Sequence, residues 1–184
     1  MGLVGKITEL FGSGAPDAIG LLEEDHKKVK KLFRQFESAE GGRAKQRIVA
    51  EAIKELKVHA QVEEEIFYPA LRNVVEEDKV DEAEEEHHVM RLLIAELEKM
   101  TARTSRYDAK FTVLAESVRH HIEEEESEVF PEAKGKIDEA ALGERLLARK
   151  QELMQRNGRG RRPRKATRAS RRSQIRRRAD EALR

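Results

Sequence analysis

Two segments of this chain, 62 residues apart, carry one pattern. His59 is followed by Glu63, Tyr68 and Pro69, and His121 by Glu125, Phe130 and Pro131. Each histidine thus has a carboxylate four residues on, an aromatic nine on and a proline ten on. A spacing of four puts imidazole and carboxylate on one face of a helix, one turn apart. Such a face offers two ligands to one metal centre. Two further histidines stand in register with these: His26 precedes His59 by 33 residues, and His87 precedes His121 by 34. Their approaches match too. Glu23-Glu24-Asp25-His26 resembles Glu84-Glu85-Glu86-His87, with Phe33 and Ile94 seven residues beyond. The chain reads as two similar helix pairs.

Apolar periodicity fills in the helices. The spacing predicts a first helix from about Pro16 to Ala39, with a stripe of Leu22, Val29, Phe33 and Phe36 that includes His26. A second runs from about Arg43 to Arg72, its inner face formed by Ile48 or Val49, Ala52, Leu56, His59, Glu63 and Ile66. Pro69 falls near its end, where it kinks the last turn. A third, from about Asp81 to Met100, aligns His87 with Met90, Ile94 and Leu97. The fourth, from about Ser105 to Glu128, aligns Phe111, Leu114, Val118, His121 and Glu125, and Pro131 and Gly135 end it. A short fifth, from about Asp138 to Gln155, has Ala141, Leu142, Leu146 and Leu147. Sustained period-2 alternation is absent, so the expected class is all-α: an antiparallel up-down four-helix bundle. The expected organisation is an amphipathic N-terminal arm over residues 1–15, the bundle over 16–135, the short C-terminal helix over 136–155 and an Arg-rich, disordered tail over 156–184.

Charge separates body from tail. Thirteen Lys and Arg stand against two acids between Arg156 and Arg184, which leaves 24 basic and 34 acidic side chains in residues 1–155. The body is acidic and the tail basic, although the whole chain has a formal charge of +1. Cysteine is absent, which excludes thiolate zinc sites and thiol nucleophiles. No apolar run approaches a membrane span of ~20 residues, and Lys6, Thr8 and Glu9 interrupt the start where a signal peptide needs continuity. The expected location is the cytoplasm.

His26, His59, His87 and His121, with Glu63 and Glu125, supply four imidazoles and two carboxylates. Imidazole suits Fe, Zn, Cu and Ni, and carboxylate oxygens suit harder ions. Each carboxylate can bridge two metals ~3.5–4 Å apart. Two iron ions fit this mixture best, with manganese or a mixed pair left open. Asp25 and Glu86 are candidates to orient neighbouring histidines, and Tyr68 to hydrogen-bond near the site. His88 and His120 read either as supports behind the ligands or as surface residues. A ferritin-like alternative uses Glu-x-x-His. Glu23 with His26 and Glu84 with His87 fit that spacing, but it leaves His59 and His121 without a task.

The set Asp25-His26, His59-x-x-x-Glu63 running on to Ile66-Phe67-Tyr68-Pro69, Glu86-His87, and His121-x-x-x-Glu125 with Phe130-Pro131 resembles the hemerythrin-like, or HHE cation-binding, family over about residues 16–133. The resemblance implies a four-helix bundle with a non-haem di-iron site. It implies that His26 and His59 hold one iron, that His87 and His121 hold the other, and that Glu63 and Glu125 bridge them. One departure stands out. Oxygen-carrying members place two histidines four apart on the third helix, whereas here Arg91 follows His87 by four and Ala83 precedes it by four. That leaves an open or water-filled position on one iron. It favours a centre that binds or senses O2, NO, peroxide or iron over reversible oxygen carriage, and a binding protein over a committed enzyme.

The tail carries its own expectation. Arg159, Arg161, Arg162, Arg164 and Lys165, then Arg171 and Arg172, then Arg176, Arg177 and Arg178 favour phosphate contacts and salt-sensitive, non-specific binding to nucleic acid. Arg159-Gly-Arg-Arg-Pro-Arg resembles an AT-hook with one extra arginine. A DNA-associated stress protein is therefore the rival reading of the whole chain.

Overall fold

The structure, a computed structural model, describes residues 17–159 of the chain, with side chains to Arg156. Contacts divide the chain into two units, one ending at Met154 and one beginning at Gln155. The arm over residues 1–15 and the tail from residue 160 lie outside the described residues.

Helix α1 spans Ala18–Ser38 and begins where Asp17 Oδ1 accepts a hydrogen bond from Gly20 N at 3.1 Å. Helix α2, Gly42–Val62, follows a turn at Gly41, whose φ of +81° glycine adopts without strain. A wide π turn, Glu63–Phe67, then leads into the short α3, Tyr68–Leu71. Helix α4 spans Glu77–Leu97 and α5 spans Tyr107–Glu124. A second π turn, Glu125–Val129, leads into α6, Phe130–Ala133, and α7 spans Glu139–Arg159. Among the described residues there is no strand. Helices α1 and α2 pack as one antiparallel pair and α4 and α5 as another, with α1 against α5 and α2 against α4 closing the bundle. The fold is the all-helical four-helix bundle that the sequence predicts. No described helix is long and apolar enough to cross a membrane.

The core has three layers. One apolar cluster gathers Val29, Phe33, Phe36, Leu56, Met90, Ile94, Phe111, Leu114 and Val118. A second gathers Leu22, Val58, Val62, Phe67, Tyr68, Leu71, Val80, Phe130 and Leu146. Along the helices His26 falls between Leu22 and Val29, His59 between Leu56 and Val62, and His121 between Val118 and Val129. The buried polar side chains form a slab with apolar packing on both sides.

Four expectations need correction. The third long helix starts at Glu77 rather than Asp81, because Val80 and Ala83 are buried and Glu77 and Asp78 suit the positive end of the helix dipole. The second and fourth do not run on as simple helices. Each opens into a π turn at its glutamate, which inserts a residue and moves the inward face on by one. Phe67, rather than Ile66, is therefore fully buried. Pro69 and Pro131 stand in the first turns of α3 and α6, where a missing N–H costs little, so Pro69 does not kink a last turn and Pro131 ends nothing. Finally, α7 is not short. Its 21 residues equal those of α1, it takes in residues 156–159 of the expected tail, and its buried face is Leu142, Leu146 and Leu153, with Ala141 exposed.

Since Leu146 has no solvent exposure, Leu146→Ala is expected to cost about 2–5 kcal/mol of unfolding free energy. Denaturant titration reads this directly, and a loss under about 1 kcal/mol would make α7 an appendage rather than part of the core.

Candidate metal centre

Six side chains meet inside the slab. His26 Nε2 lies 3.1 Å from His59 Nε2, and His87 Nε2 lies 3.1 Å from His121 Nε2. The carboxylates connect these two pairs. Glu63 Oε1 is 3.2 Å from His59 Nε2, and its Oε2 is 3.5 Å from His87 Nε2. Glu125 Oε2 is 3.2 Å from His26 Nε2 and 3.5 Å from His121 Nε2. All six are buried, the most exposed being His59 at 5%. The π turns begin at Glu63 and Glu125 themselves, so the widened turn sets each carboxylate relative to the histidine four residues before it.

Each imidazole turns its other nitrogen outward to an acid from a neighbouring helix. His26 Nδ1 donates to Glu126 Oε1 at 3.0 Å, His87 Nδ1 to Glu64 Oε1 at 3.0 Å, and His121 Nδ1 to Glu86 Oε2 at 2.7 Å. Asp25 Oδ2 stands 3.7 Å from His59 Nδ1, beyond hydrogen-bond reach. Three of these acids are held in turn by cations: Glu126 by Lys30, Glu64 by Arg91, and Asp25 by Lys150 of α7. The two hairpins repeat one another in this. Asp25 and Glu86 precede a histidine and serve its partner, while Glu64 and Glu126 follow a glutamate and serve the opposite hairpin. The hairpins differ in the reach of Asp25 and Glu86 to their histidines and in the aromatics. Tyr68 O–H donates to Glu125 Oε1 at 2.9 Å, whereas Phe130 stacks on His26 with planes 7° apart.

An Nδ1–H given to a carboxylate leaves the Nε2 lone pair facing inward. His87 and His121 both do this, so two lone pairs oppose each other at 3.1 Å and a positive charge must lie between them. Without metal, a proton does so. Burial lowers the His121 pKa, but Glu125 and Glu86 outweigh it and raise the group above its usual value. Burial and the neighbouring Glu125 push the Glu63 carboxyl well up. Burial acts the same way on Glu125, but the imidazoles of His121 and His26 outweigh it and hold that group down. Burial also lowers His59 to about 4. Both Glu63 oxygens and Glu125 Oε2 lack hydrogen-bond partners although buried. Orphaned acceptors of this kind, close enough for shared ligation as His26, His59, Glu63 and Glu125 and as Glu63, His87 and His121, are what a pair of cations with nitrogen and oxygen ligands satisfies.

The sequence candidates distribute as follows. The six ligand candidates come together. Glu86 and Tyr68 bond directly to members of the cluster, and Asp25 lies beside His59. His88 and His120 are exposed. Glu84 pairs with Arg72 at 3.0 Å, and neither it nor Glu23 joins the cluster. Of the arginines expected to contact nucleic acid only Arg159 falls within a described helix, and its side chain and those of Arg161 to Arg178 lie outside the described residues. Sequence reading missed Glu64 and Glu126, although aligning the two repeats shows an acid five after each histidine. Lys150 gave no signal, since 125 residues separate it from Asp25.

Two hollows reach the cluster. A cavity of about 400 Å3 borders His59, His87 and His121 between α2 and α4. A smaller one of about 80 Å3 passes Glu82, Glu86, Glu124 and Glu128 to reach His121 and Glu125.

Residues 17–133 match the hemerythrin HHE cation binding domain family. A protein named DNA nickase from Nostoc sp. is 27% identical over 110 residues, 60% of this chain and 31% of that protein. An uncharacterized hemerythrin-like protein from Schizosaccharomyces pombe is 27% identical over 111 residues, 59% of this chain and 55% of that protein. The chain thus spans less than two thirds of either relative. The crystal structure of a hemerythrin HHE cation binding domain-containing protein from Mycobacterium kansasii superposes with a TM-score of 0.65 at 22% identity, covering 74% of this chain and 86% of that one, which supports the fold.

The protonation pattern has a measurable sign. Without metal, the fold keeps a proton on Glu63 above its unfolded value of 4.5 and one on His121 above 6.5. Both contributions are lost as pH rises. His59 and His87, both lowered by burial, work in the opposite direction, but their effects are complete by their unfolded value of 6.5. The melting temperature of the metal-free protein is therefore expected to fall as pH rises above 6.5. Saturating divalent metal should abolish that fall, because bound cations replace the protons. Calorimetry across this range checks both halves.

Proposed function

Because the chain belongs to the hemerythrin HHE cation-binding family, we propose that its bundle holds a non-haem pair of iron ions and that this centre binds or senses O2, NO or peroxide. The observation that carries the reading is the opposed lone pairs of His87 and His121, with the orphaned oxygens of Glu63 beside them. Bound iron supplies a redox-active Lewis acid that takes diatomic and peroxidic ligands. The four imidazoles favour iron over manganese.

The chain's own residues set the conditions. Glu63 reaches both histidine pairs with separate oxygens, and Glu125 reaches both with one while Tyr68 occupies its other. Burial and Glu125 push the Tyr68 pKa well up, so the phenol keeps its proton and stays a donor at that oxygen. Of the two histidines on α4, only His87 is buried. Arg91, one turn on, reaches outward to Glu64 and fixes the His87 ring through it. One histidine fewer on this helix leaves room on the His87 side, where the larger cavity opens. Acids along the smaller hollow attract cations towards His121 and Glu125.

Anaerobic loading is expected to give two irons per chain, with optical changes on adding O2, NO or peroxide. The double variant His59→Ala/His121→Ala should lose at least one iron. Full retention would point instead to a Glu-x-x-His site through Glu23 and Glu84.

A second reading attaches to the basic tail. The arginines from Arg159 to Arg178, and the likeness to a relative named DNA nickase, favour contact with nucleic acid. Gel shifts at two salt concentrations are expected to show binding that weakens steeply with salt and disappears without residues 160–184. A shift that survives the truncation removes the tail from this role.

A further inference from the structure

We propose that the cavity between α2 and α4 binds a neutral organic molecule with an apolar body and one oxygen-bearing head, the class to which aryl and alkyl hydroperoxides belong. The placement of the head rests on the metal-centre reading above, while the fit of the body rests on the cavity alone. Size is the first argument. The cavity measures about 400 Å3. A diatomic ligand needs little more than the ~30 Å3 share of a water, whereas ~150 Å3 already accepts benzene. Small-molecule sites begin near ~300 Å3.

Lining is the second. Leu56, Met90, Ile94, Val118 and Ile122 offer no hydrogen bonds, so water gains little there and an apolar body gains much. The lining also includes the imidazoles of His59, His87 and His121, which places an oxygen head against the metal cluster.

Charge is the third. Lys57 and Arg91 border the cavity, but Lys57 is bonded to Glu98 and Arg91 to Glu64. Glu65, also on the border, accepts from Arg149. With these charges already matched, the cavity selects a neutral ligand over a phosphate or carboxylate. Ala60 supplies only a methyl group to the α2 wall, so the space there is set by a small residue.

The test uses the full chain loaded with zinc, which is redox-silent, and three probes. They are 2-phenyl-2-propanol, an unreactive analogue of cumene hydroperoxide; cumene, which has the same body without the head; and benzoate. Calorimetry should show saturable one-site binding of the alcohol, weaker binding of cumene and none of benzoate. Methyl NMR should show the Ile94 and Ile122 signals moving with the alcohol. Ala60→Phe should weaken the alcohol by about tenfold or more, with the helical spectrum and zinc content unchanged. Absence of saturable binding, shifts confined to Ile19 or Ile53, or unchanged affinity in Ala60→Phe overturns the proposal. If that variant misfolds, the methyl shifts of the native chain decide alone. Zinc stoichiometry on the same samples keeps the two readings apart. Fewer than two ions with intact probe binding sinks the metal centre, and two ions without probe binding sinks the cavity.

Discussion

Imidazole nitrogens face one another at 3.1 Å in an interior that water scarcely reaches. For His87 and His121 the outward hydrogen bonds leave both inward lone pairs exposed to each other, and in a low dielectric that repulsion is expensive. A positive charge between them turns it into attraction. The rest of the bundle serves to keep this arrangement from relaxing. The apolar clusters on either side grip the helices above and below the polar slab, so the rings cannot swing into solvent. Acids on the outer nitrogens fix ring orientation, and Lys30, Arg91 and Lys150 fix the acids. The network extends outward until it reaches exposed charges, where water takes over.

The π turns belong to the same logic. In a regular helix each step of four residues turns about 40° off the face, which would carry Phe67 away from the side on which His59 and Glu63 stand. The inserted residue lets a buried carboxylate and a buried aromatic succeed one another without either leaving the core, and it widens the turn where the proline then stands. Both long helices do this at the same place. The repeat of glutamate, aromatic and proline in the sequence is therefore the trace of a backbone irregularity as well as of a ligand set.

Much of this was legible in the chain alone. Period and spacing placed His26, His59, His87 and His121 on four inward faces, and counting from the prolines separated His121 from His120. That worked because each ligand lies on a long helix whose apolar stripe fixes its rotation. What escaped was of two kinds. The π turns escaped because a regular period was assumed through Glu63 and Glu125, which made Ile66 look like the inward residue in place of Phe67. The contacts of Lys150 and the reach of α7 escaped because they depend on how distant segments pack, and a run such as Leu142, Leu146 and Leu153 does not state what it packs against. Glu64 lay between these cases: the repeat contained it, but an acidic run disguises the member that points across the bundle.

The outward hydrogen bonds and near contacts form a closed circuit. Asp25 to His59 joins α1 to α2, Glu64 to His87 joins the first hairpin to the second, Glu86 to His121 joins α4 to α5, and Glu126 to His26 returns to α1. Each hairpin owns one whole link and half of two others. Two copies of a single hairpin, placed about a twofold axis, would close the same circuit. The present polypeptide is thus arranged as two tethered hairpins of one plan, with Tyr68 in the first standing where Phe130 stands in the second.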